Sequence, residues 1–367
     1  MRHGPDRRSV ILGLAATGAL PLTGFADTRQ EAAFVSCCKM RDGHFAAAVL
    51  DADAKLIFQE NLDGRGHDSA ISPDGAAAVV FARRPGRFAL VLDLVRRQRQ
   101  LAFSAPQDRH FQGHGFFSND GRLLFATEND FGGERGVMGI YDVAADYRRV
   151  GEIDTGGIGP HEALLLSDGR TVAIANGGIL THPDFPRQKL NLDTMAPSLV
   201  YADLTSGDIV ETVSLSPELH QLSIRHMAED GRGRIWFGGQ FEGAHSETVP
   251  LAGWHERGRD IQLCGAADTV WQAMSNYIGS VAASADGRRI AMSSPRGNTV
   301  LIWDCESGRA LEQRSIRDVC GLAPMSGAFL SSDGSGGLEL DGAPLRAFDE
   351  LSWDNHIAVL NSARRYR

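Results

Sequence analysis

The feature that most constrains the fold of this chain is a turn that returns at near-regular intervals. Asp-Gly turns occur at Asp74, Asp120, Asp168, Asp230 and Asp286, and successive turns lie 46, 48, 62 and 56 residues apart. Short β-rich runs that end in aspartate alternate with them: LVLD, GIYD, LVYAD and LIWD. Short strands repeated with a period of roughly 45–50 residues are typical of a β-propeller, in which each repeat forms one four-stranded blade.

The apolar runs between these turns predict the strands of each blade. Blade one is predicted at 67–72, 77–82, 87–93 and 99–103, blade two at 114–118, 123–127, 137–142 and 148–153, and blade three at 161–166, 171–175, 198–203 and 209–213. Blades four, five and six are predicted to begin near Arg225, Gly279 and Cys320.

Four predicted strands remain at the two ends of the chain. They are NHIAVL from Asn355 and, near the N-terminus, FVSCC, FAAAVLD and KLIFQ. We therefore expect an all-β, seven-bladed β-propeller over residues 33–367, whose last blade combines one C-terminal and three N-terminal strands. Closing the ring in this way removes the free sheet edges that would favour aggregation. It also predicts that Ile357 and Val35 lie in the same sheet.

The N-terminal residues carry the features of an export signal. Arg7 and Arg8 precede an apolar stretch that starts at Val10, and the small residues Gly24 and Ala26 follow it. This arrangement is typical of a twin-arginine signal peptide, and the apolar stretch is short for a membrane span. We expect residues 1–26 to be a signal peptide and the mature chain to lie in the periplasm, with no transmembrane segment.

Charge and cysteine content narrow the possible partners and cross-links. The formal net charge of −9 argues against nucleic acid as a partner. The five cysteines include no CxxC motif and leave at least one thiol unpaired. The periplasm permits disulfides, but the spacing does not choose a pairing among the cysteines Cys37, Cys38, Cys264, Cys305 and Cys320.

Histidines recur one short strand ahead of the Asp-Gly turns. In a propeller the first strand of each blade lines the central channel, and the loops that join successive blades lie at the mouth opposite the turns between strands one and two. The histidines near the start of a predicted innermost strand should therefore converge on one mouth of the channel. They are His67, His114, His161, His226 and His356.

Two interpretations of these histidines are open. WD-repeat propellers use a Gly-His dipeptide at this place as an internal hydrogen-bond bracket, and Gly66-His67 and Gly113-His114 resemble it. The other interpretation is a transition-metal site, because converging imidazoles and carboxylates suit iron, copper or zinc. The candidate metal ligands are His67, His114, His161, His182 and His226, with Glu128, Asp130, Glu162 and His220 as candidates to complete the site.

A long insertion in blade three suggests an anionic ligand at the same mouth. It carries Lys189, Asn191 and Asp193, and Arg296 lies in a loop on that face. The two cationic side chains would donate charge-assisted hydrogen bonds to a small anion. Motifs for catalysis are weaker: we find no nucleophile elbow, phosphate-binding loop or haem-attachment motif, and Glu162 next to His161 is the one candidate acid–base pair.

Several segments resemble a proteobacterial family known as domain-of-unknown-function family 1513. They are GHGFFSNDGRLLFATEND, GGIGPHE, NGGILTHPD, KLNLDTMAPSLVY, LHQLSIRH and DVCG, and the resemblance covers nearly the whole mature chain. That family is similar to propellers of the nitrous oxide reductase and methylamine dehydrogenase heavy-chain type. Its genes often accompany imelysin-like and di-haem-peroxidase-like genes in iron-uptake operons. The resemblance implies a periplasmic propeller linked to iron or other metal acquisition, with imelysin-like or di-haem proteins as partners. It brings no established active site.

We therefore expect a binding module that holds a metal ion, a small anionic ligand or a partner protein at the histidine-bearing mouth. Two alternatives stay open. One is an enzyme, either a metal-dependent hydrolase of the lactonase-like kind or an oxidoreductase accessory protein. The other is a protein-interaction platform in which the histidines are structural.

Overall fold

The protein folds into seven antiparallel four-stranded sheets in a computed structural model that describes residues 31–185, 188–325 and 327–360. The sheets are the seven blades of a β-propeller, which confirms the predicted fold class. The expected signal peptide, residues 1–26, lies outside the described residues, as do residues 361–367. None of the described helices is long and apolar enough to span a membrane.

The strands run in chain order around the ring. The closing blade begins with β1 (Phe34–Met40), β2 (Phe45–Leu50) and β3 (Leu56–Leu62). Blade one holds β4 (Gly66–Ile71), β5 (Ala77–Ala82), β6 (Phe88–Asp93) and β7 (Gln98–Ser104). Blade two holds β8 (Arg109–Phe117), β9 (Leu123–Asp130), β10 (Arg135–Asp142) and β11 (Arg148–Asp154). Blade three holds β12 (Pro160–Leu165), β13 (Thr171–Asn176), β14 (Ser198–Asp203) and β15 (Ile209–Ser214).

The second half of the chain repeats this plan. Blade four holds β16 (Leu222–Glu229), β17 (Ile235–Phe241), β18 (Ala252–His255) and β19 (Gln262–Leu263). Blade five holds β20 (Ser280–Ala283), β21 (Arg289–Ser294), β22 (Thr299–Asp304) and β23 (Ala310–Ser315). Blade six holds β24 (Val319–Met325), β25 (Ala328–Asp333), β26 (Gly337–Leu340) and β27 (Ala343–Ala347). The last strand is β28 (Leu351–Val359).

The two ends of the propeller close the ring as predicted. β28 pairs antiparallel with β1, so that Ser36 lies opposite Ile357 and Val35 opposite Ala358. The closing blade, called blade seven here, has the strand order β28-β1-β2-β3. The single C-terminal strand is therefore the innermost strand of a blade whose other three strands come from the N-terminus.

Among the described residues, helical structure is limited to short segments in the loops. The helix α1 (Asp268–Ala273) precedes β20, and single 3-10 turns lie at Val143–Ala145, Leu192–Thr194 and Pro217–Leu219. The sequence pattern did not predict α1. Its buried residue Trp271 stacks on Trp303 of β22, with ring centroids 5.6 Å apart, so tertiary packing explains why this short helix forms.

The hydrophobic core lies between neighbouring blades. Strands in the middle of each sheet present small and β-branched side chains to both faces, as in β5 with the sequence AAVVFA. Aromatic side chains fill the wider gaps, and Trp236, Tyr201 and Phe81 are completely buried. Burial of these apolar surfaces between blades stabilises the ring and makes it a rigid frame for the residues that line the channel.

Candidate metal centre

Each histidine-bearing inner strand contains a β-bulge at its histidine. The pairing of β4 with β5 shifts between Gly66 and Ser69, and the pairing of β8 with β9 shifts between Phe111 and Gly115. Similar shifts occur at the histidines of β12, β16 and β28. A bulge interrupts the two-residue alternation of a strand and redirects side chains. It therefore lets a histidine and its polar neighbour both reach the channel.

Five buried histidines from five consecutive blades meet at the centre of the ring. Their neighbouring ring centroids are 4.6–5.8 Å apart. Each side chain has three or more of the others as neighbours, and none of the five residues is more than 8% exposed. The five, called the histidine cluster below, are His67, His114, His161, His226 and His356.

Candidate ligand atoms in the cluster lie close enough for metal binding. One nitrogen from each of His67, His114 and His161 lies within 4.8 Å of the other two, and the same holds for His114, His226 and His356. His114 belongs to both trios, so the two candidate ligand sets share one residue. Blades five and six present Ser280 and Cys320 at the equivalent places, and the thiol of Cys320 donates to the carbonyl of Asp318 instead, at 3.2 Å.

Carboxylates from the preceding blade contact three of the five imidazoles. Asp68 accepts a hydrogen bond from Nδ1 of His114 at 3.0 Å, and Glu162 lies 3.2 Å from Nδ1 of His226. Asp354 approaches Nδ1 of His67 at 3.5 Å. Metal-ligating histidines commonly have a hydrogen-bond acceptor on the ring nitrogen that does not face the metal. Asp68 and Glu162 have this arrangement with His114 and His226, whereas the contact between Asp354 and Nδ1 of His67 is too long for a hydrogen bond.

The sequence explains why His161 lacks a carboxylate partner. Asp68 follows His67 directly, and Glu162 follows His161 directly, so the carboxylate after one histidine serves the histidine of the next blade. In blade two the residue after His114 is Gly115. Glu162 is therefore the partner of His226 and not of His161, which changes the interpretation of the His161-Glu162 dipeptide as an acid–base pair.

Four ring nitrogens of the cluster are buried and make no hydrogen bond within the described part of the chain. They are Nδ1 of His67, Nε2 of His114, Nδ1 of His161 and Nε2 of His356. Buried polar atoms in proteins almost always have a partner. Four unpaired nitrogens within one cluster of five imidazoles are therefore unusual for a protein interior.

Burial sets the protonation state of most of the cluster. Desolvation, assisted by repulsion from neighbouring imidazoles, lowers the pKa of His67, His161, His226 and His356 well below the ordinary value of 6.5. These four rings are neutral at pH 7, which is the form that binds a metal. For His114 burial acts in the same direction and is the largest single effect, but the hydrogen bond to Asp68 and the negative charges of Glu162 and Asp68 together outweigh it and raise the pKa.

Comparison with known proteins identifies the family. A family model described as "Protein of unknown function (DUF1513)" matches residues 60–360. The chain belongs to this family. No curated protein sequence matches it. A solved structure titled "Kuenenia stuttgartiensis Hydrazine Synthase" is similar in fold, with a TM-score of 0.61 at 14% identity over 87% of this chain and 97% of that chain.

Two of the predicted carboxylates lie away from the cluster of this DUF1513 protein. Glu128 is fully buried within blade two, where it accepts hydrogen bonds from Tyr141 at 2.5 Å and from Arg149 at 3.1 Å. Asp130 pairs with Arg109 at 2.9 Å and with Arg135 at 3.0 Å. Both carboxylates are held by cationic partners of their own, so they stabilise blade two and do not contact the imidazoles.

The predicted histidines outside the inner strands also remain apart from the cluster. His182 lies on the insertion of blade three, where its ring centroid is 5.1 Å from that of Phe131. His220 follows a 3-10 turn, and its Nδ1 contacts the carbonyl of Pro217 at 3.0 Å. Neither residue belongs to an innermost strand, so neither side chain lies in the channel with the cluster.

The insertion residues predicted to grip an anion have mostly local roles in the DUF1513 fold. Lys189 forms a close ion pair with Glu242. The side chain of Asn191 bonds the backbone of Leu180 and Gly178 and so holds the loop. Asp193 is exposed in the 3-10 turn Leu192–Thr194. Arg296 stacks over the ring of Tyr277 at 4.4 Å, which brings it next to the channel mouth.

Sequence reasoning missed the cationic side chains at this mouth. A cavity of about 30 Å³ adjoins the cluster, and Arg83, Arg84 and Arg225 line it together with Gln112 and Tyr277. One signal was available: the Arg-Arg-Pro sequence directly after β5 falls in a loop on the same face as the predicted histidine mouth. Sequence reasoning also missed Asp68 as a partner of the cluster. Its position directly after His67 was the available signal.

Proposed function

We propose that this protein binds a transition-metal ion through the histidine cluster at the centre of its channel. The observation that carries the proposal is a cluster of five buried imidazoles, four of which have a ring nitrogen without a hydrogen-bond partner within the described residues. Leaving a polar atom buried and unpaired costs about 1–3 kcal/mol. A single ion that accepts several of these lone pairs would remove that cost.

The chemistry of the ligands supports zinc, copper or iron as the ion. Neutral imidazole is a good ligand for all three metals. Zinc–nitrogen bonds of about 2.0–2.1 Å place tetrahedral ligand nitrogens roughly 3.4 Å apart. The trios whose nitrogens lie within 4.8 Å would therefore contract by at most about 1.4 Å on binding. Asp68 and Glu162 already hold the opposite nitrogens of His114 and His226, as is usual at metal sites.

The wider role that we propose is a periplasmic binding module in iron or other metal acquisition. Support comes from the twin-arginine features of residues 1–26 and from the resemblance to a family whose genes accompany imelysin-like and di-haem-peroxidase-like genes. A pure interaction platform is less well supported. Structural brackets would have satisfied ring nitrogens, whereas four nitrogens of this cluster have no partner among the described residues.

A second candidate is metal-dependent catalysis at the same centre. The cavity of about 30 Å³ that adjoins His67, His161 and His226 favours it, because a catalytic metal keeps a coordination position open for water or substrate. Hydrolysis of a lactone or an activated ester by the zinc-loaded protein, lost in the variant His161→Ala, would support catalysis over simple binding.

Metal titration of the purified protein tests the proposal. We expect zinc, copper or iron at one hundred times its dissociation constant to stabilise the wild type by about 2.7 kcal/mol, measured as a rise in melting temperature. His161→Ala removes one ligand and one orphaned nitrogen. This variant should lose most of the metal-induced rise while its metal-free melting temperature changes little.

The matched control is His245→Ala, because His245 is an exposed histidine in the loop after β17. It should respond to metal like the wild type. Metal analysis of protein purified from the periplasm without chelators would then identify the natural ion. Identical titration curves for the wild type and His161→Ala would refute metal binding at the cluster.

A further inference from the structure

We infer that the mouth above the histidine cluster is a binding site for a small oxoanion, a carboxylate or a phosphate, held by Arg83, Arg84 and Arg225. The three guanidinium groups line one cavity together with the imidazoles of His67, His161 and His226. The inference goes beyond metal binding, because the arginines would hold an anion whether or not an ion occupies the cluster.

The first step of the argument is the lack of counter-charge. Arg83 and Arg84 form no ion pair with any residue that the structure describes. Arg225 is 4% exposed and has one acidic neighbour, Glu242, at 3.7 Å. Glu242 is already shared with Lys189. Glu242 therefore pairs with two of these four cations, Lys189 and Arg225, and Arg83 and Arg84 have no carboxylate partner among the described residues.

The second step is the presence of two buried donors without an acceptor, on side chains that line the cavity. Nε of Arg225 is buried and makes no hydrogen bond within residues 31–185, 188–325 and 327–360. The same is true of Nε2 of Gln112, a residue that is 2% exposed. Leaving a buried donor without an acceptor is costly. An anion in the cavity would supply the acceptor that Nε of Arg225 and Nε2 of Gln112 lack among the described residues.

The arginines also affect one another. Burial, together with the positive charges of Arg225 and Arg83, lowers the pKa of Arg84 to about 9. Three like charges around one cavity repel in the absence of an anion, and a bound anion would relieve that repulsion. The metal-free, anion-free mouth is therefore destabilised in a way that a ligand of the right sign would correct.

The third step identifies the class of anion. The planar guanidinium fork matches the two oxygens of a carboxylate or phosphate with parallel hydrogen bonds. A cavity of about 30 Å³ next to the cluster admits a compact group, not a large one. An anion seated here would lie beside the imidazoles and would be placed to act as a further ligand of a metal ion, as in the binding of a metal carboxylate or metal phosphate.

Anion titrations of the metal-free protein test the inference separately from metal binding. We would follow the melting temperature with sodium phosphate and with sodium acetate, and use sodium chloride at matched ionic strength as the reference. We expect saturable stabilisation by at least one of the two oxoanions beyond the chloride effect. Phosphate alone or acetate alone would each support the site and identify its preferred ligand.

Variants at the mouth decide whether these arginines are responsible. Arg84→Gln should raise the melting temperature of the ligand-free protein, because it removes like-charge repulsion, and should weaken anion binding at least tenfold. Arg84→Lys, which keeps the charge but not the fork, should bind with intermediate affinity. The control Arg122→Gln, at an 85% exposed side chain in the Asp120-Gly121 turn on the opposite face, should behave like the wild type.

Two outcomes would overturn the inference. One is that phosphate and acetate act no differently from chloride on the wild type. The other is that Arg84→Gln binds the anion as tightly as the wild type does. A failure of the metal proposal would look different: His161→Ala and the wild type would respond alike to metal, while the metal-free protein still bound the anion through its arginines.

Discussion

At the scale of single residues, the centre depends on pairs formed between blades. Asp68 of β4 orients His114 of β8, and Glu162 of β12 orients His226 of β16. The histidines were predictable, because each stands near the start of a predicted innermost strand, and four of the five are followed within a few residues by an Asp-Gly turn. The pairs were not, because which carboxylate reaches which imidazole depends on the bulges and on the distance between blades.

The substitution Asp68→Asn tests the role of such a pair. Asparagine can still accept the hydrogen bond from Nδ1 of His114 but no longer supplies a negative charge. Loss of a partner of this kind typically weakens metal binding about 10- to 100-fold. We expect a dissociation constant raised within that range by isothermal titration calorimetry, and a lower pKa of His114 by NMR of the metal-free variant.

The control for this experiment is Asp63→Asn, because Asp63 is exposed in the turn before the same strand. It removes the same charge from the protein without touching the cluster. If Asp68→Asn and Asp63→Asn both bind metal as the wild type does, the carboxylate has no part in ligand orientation.

At the scale of the elements, the β-bulges of the five histidine-bearing inner strands direct the histidines toward one another. In β8 the bulge contains Gly113, whose φ of +106° is a conformation that glycine adopts at little cost. A Cβ atom on Gly113 would lie 2.5 Å from Cδ2 of His67 in the neighbouring blade. The Gly113-His114 dipeptide therefore does have a structural function: Gly113 leaves room for the imidazole of His67 in the preceding blade.

We expect Gly113→Ala to lower the free energy of unfolding by about 3 kcal/mol, since backbone strain and overpacking each cost roughly 1–3 kcal/mol. It should also weaken metal binding by displacing His67. Gly75→Ala is the matched control: Gly75 has a φ of +72° but no atom within 4 Å of an added Cβ. This control should show the backbone strain alone, about 1 kcal/mol, and normal metal binding.

Urea unfolding of the three proteins measures both effects. An equal loss of stability in Gly113→Ala and Gly75→Ala would mean that the contact with His67 is relaxed without cost. The present account of the bulge would then be wrong.

At the scale of the whole molecule, the sequence predicted the ring better than the loops. Blade order, strand positions in blades one to three and the pairing of β28 with β1 all follow from turn spacing and apolar alternation, which are local signals. The insertion of blade three, including His182 and Lys189, was assigned to the site because it lies at the same mouth. Its side chains instead find partners nearby, a choice that depends on tertiary packing and leaves no periodic signal.

The same whole-molecule view predicts how acid acts on the metal-free protein. Four imidazoles of the cluster have a pKa below the ordinary 6.5, because burial disfavours their charged form. The unfolded chain therefore binds more protons at these groups as the pH falls below about 6.5, and the folded state loses stability. Two groups oppose this trend: the pKa of His114 is raised, and burial raises the pKa of Glu162 to about 7. Both take up protons more readily in the folded state.

The balance of four groups against two predicts a net loss of stability on acidification. Each unbalanced proton changes the free energy of unfolding by about 1.4 kcal/mol per pH unit. Below about pH 6, His114 is charged in the folded and the unfolded state alike, and Glu162 alone opposes the four imidazoles. The slope should therefore reach at most about 4 kcal/mol per pH unit. Urea unfolding of the metal-free protein between pH 7.5 and 5.5 measures it. His161→Ala removes one of the four destabilising imidazoles and should flatten the profile, whereas His245→Ala should leave it unchanged. A constant wild-type stability across this range would mean that the histidines of the cluster have nearly the same pKa in the folded and unfolded states. The claim that four of these imidazoles are neutral at pH 7 because they are buried would then be wrong.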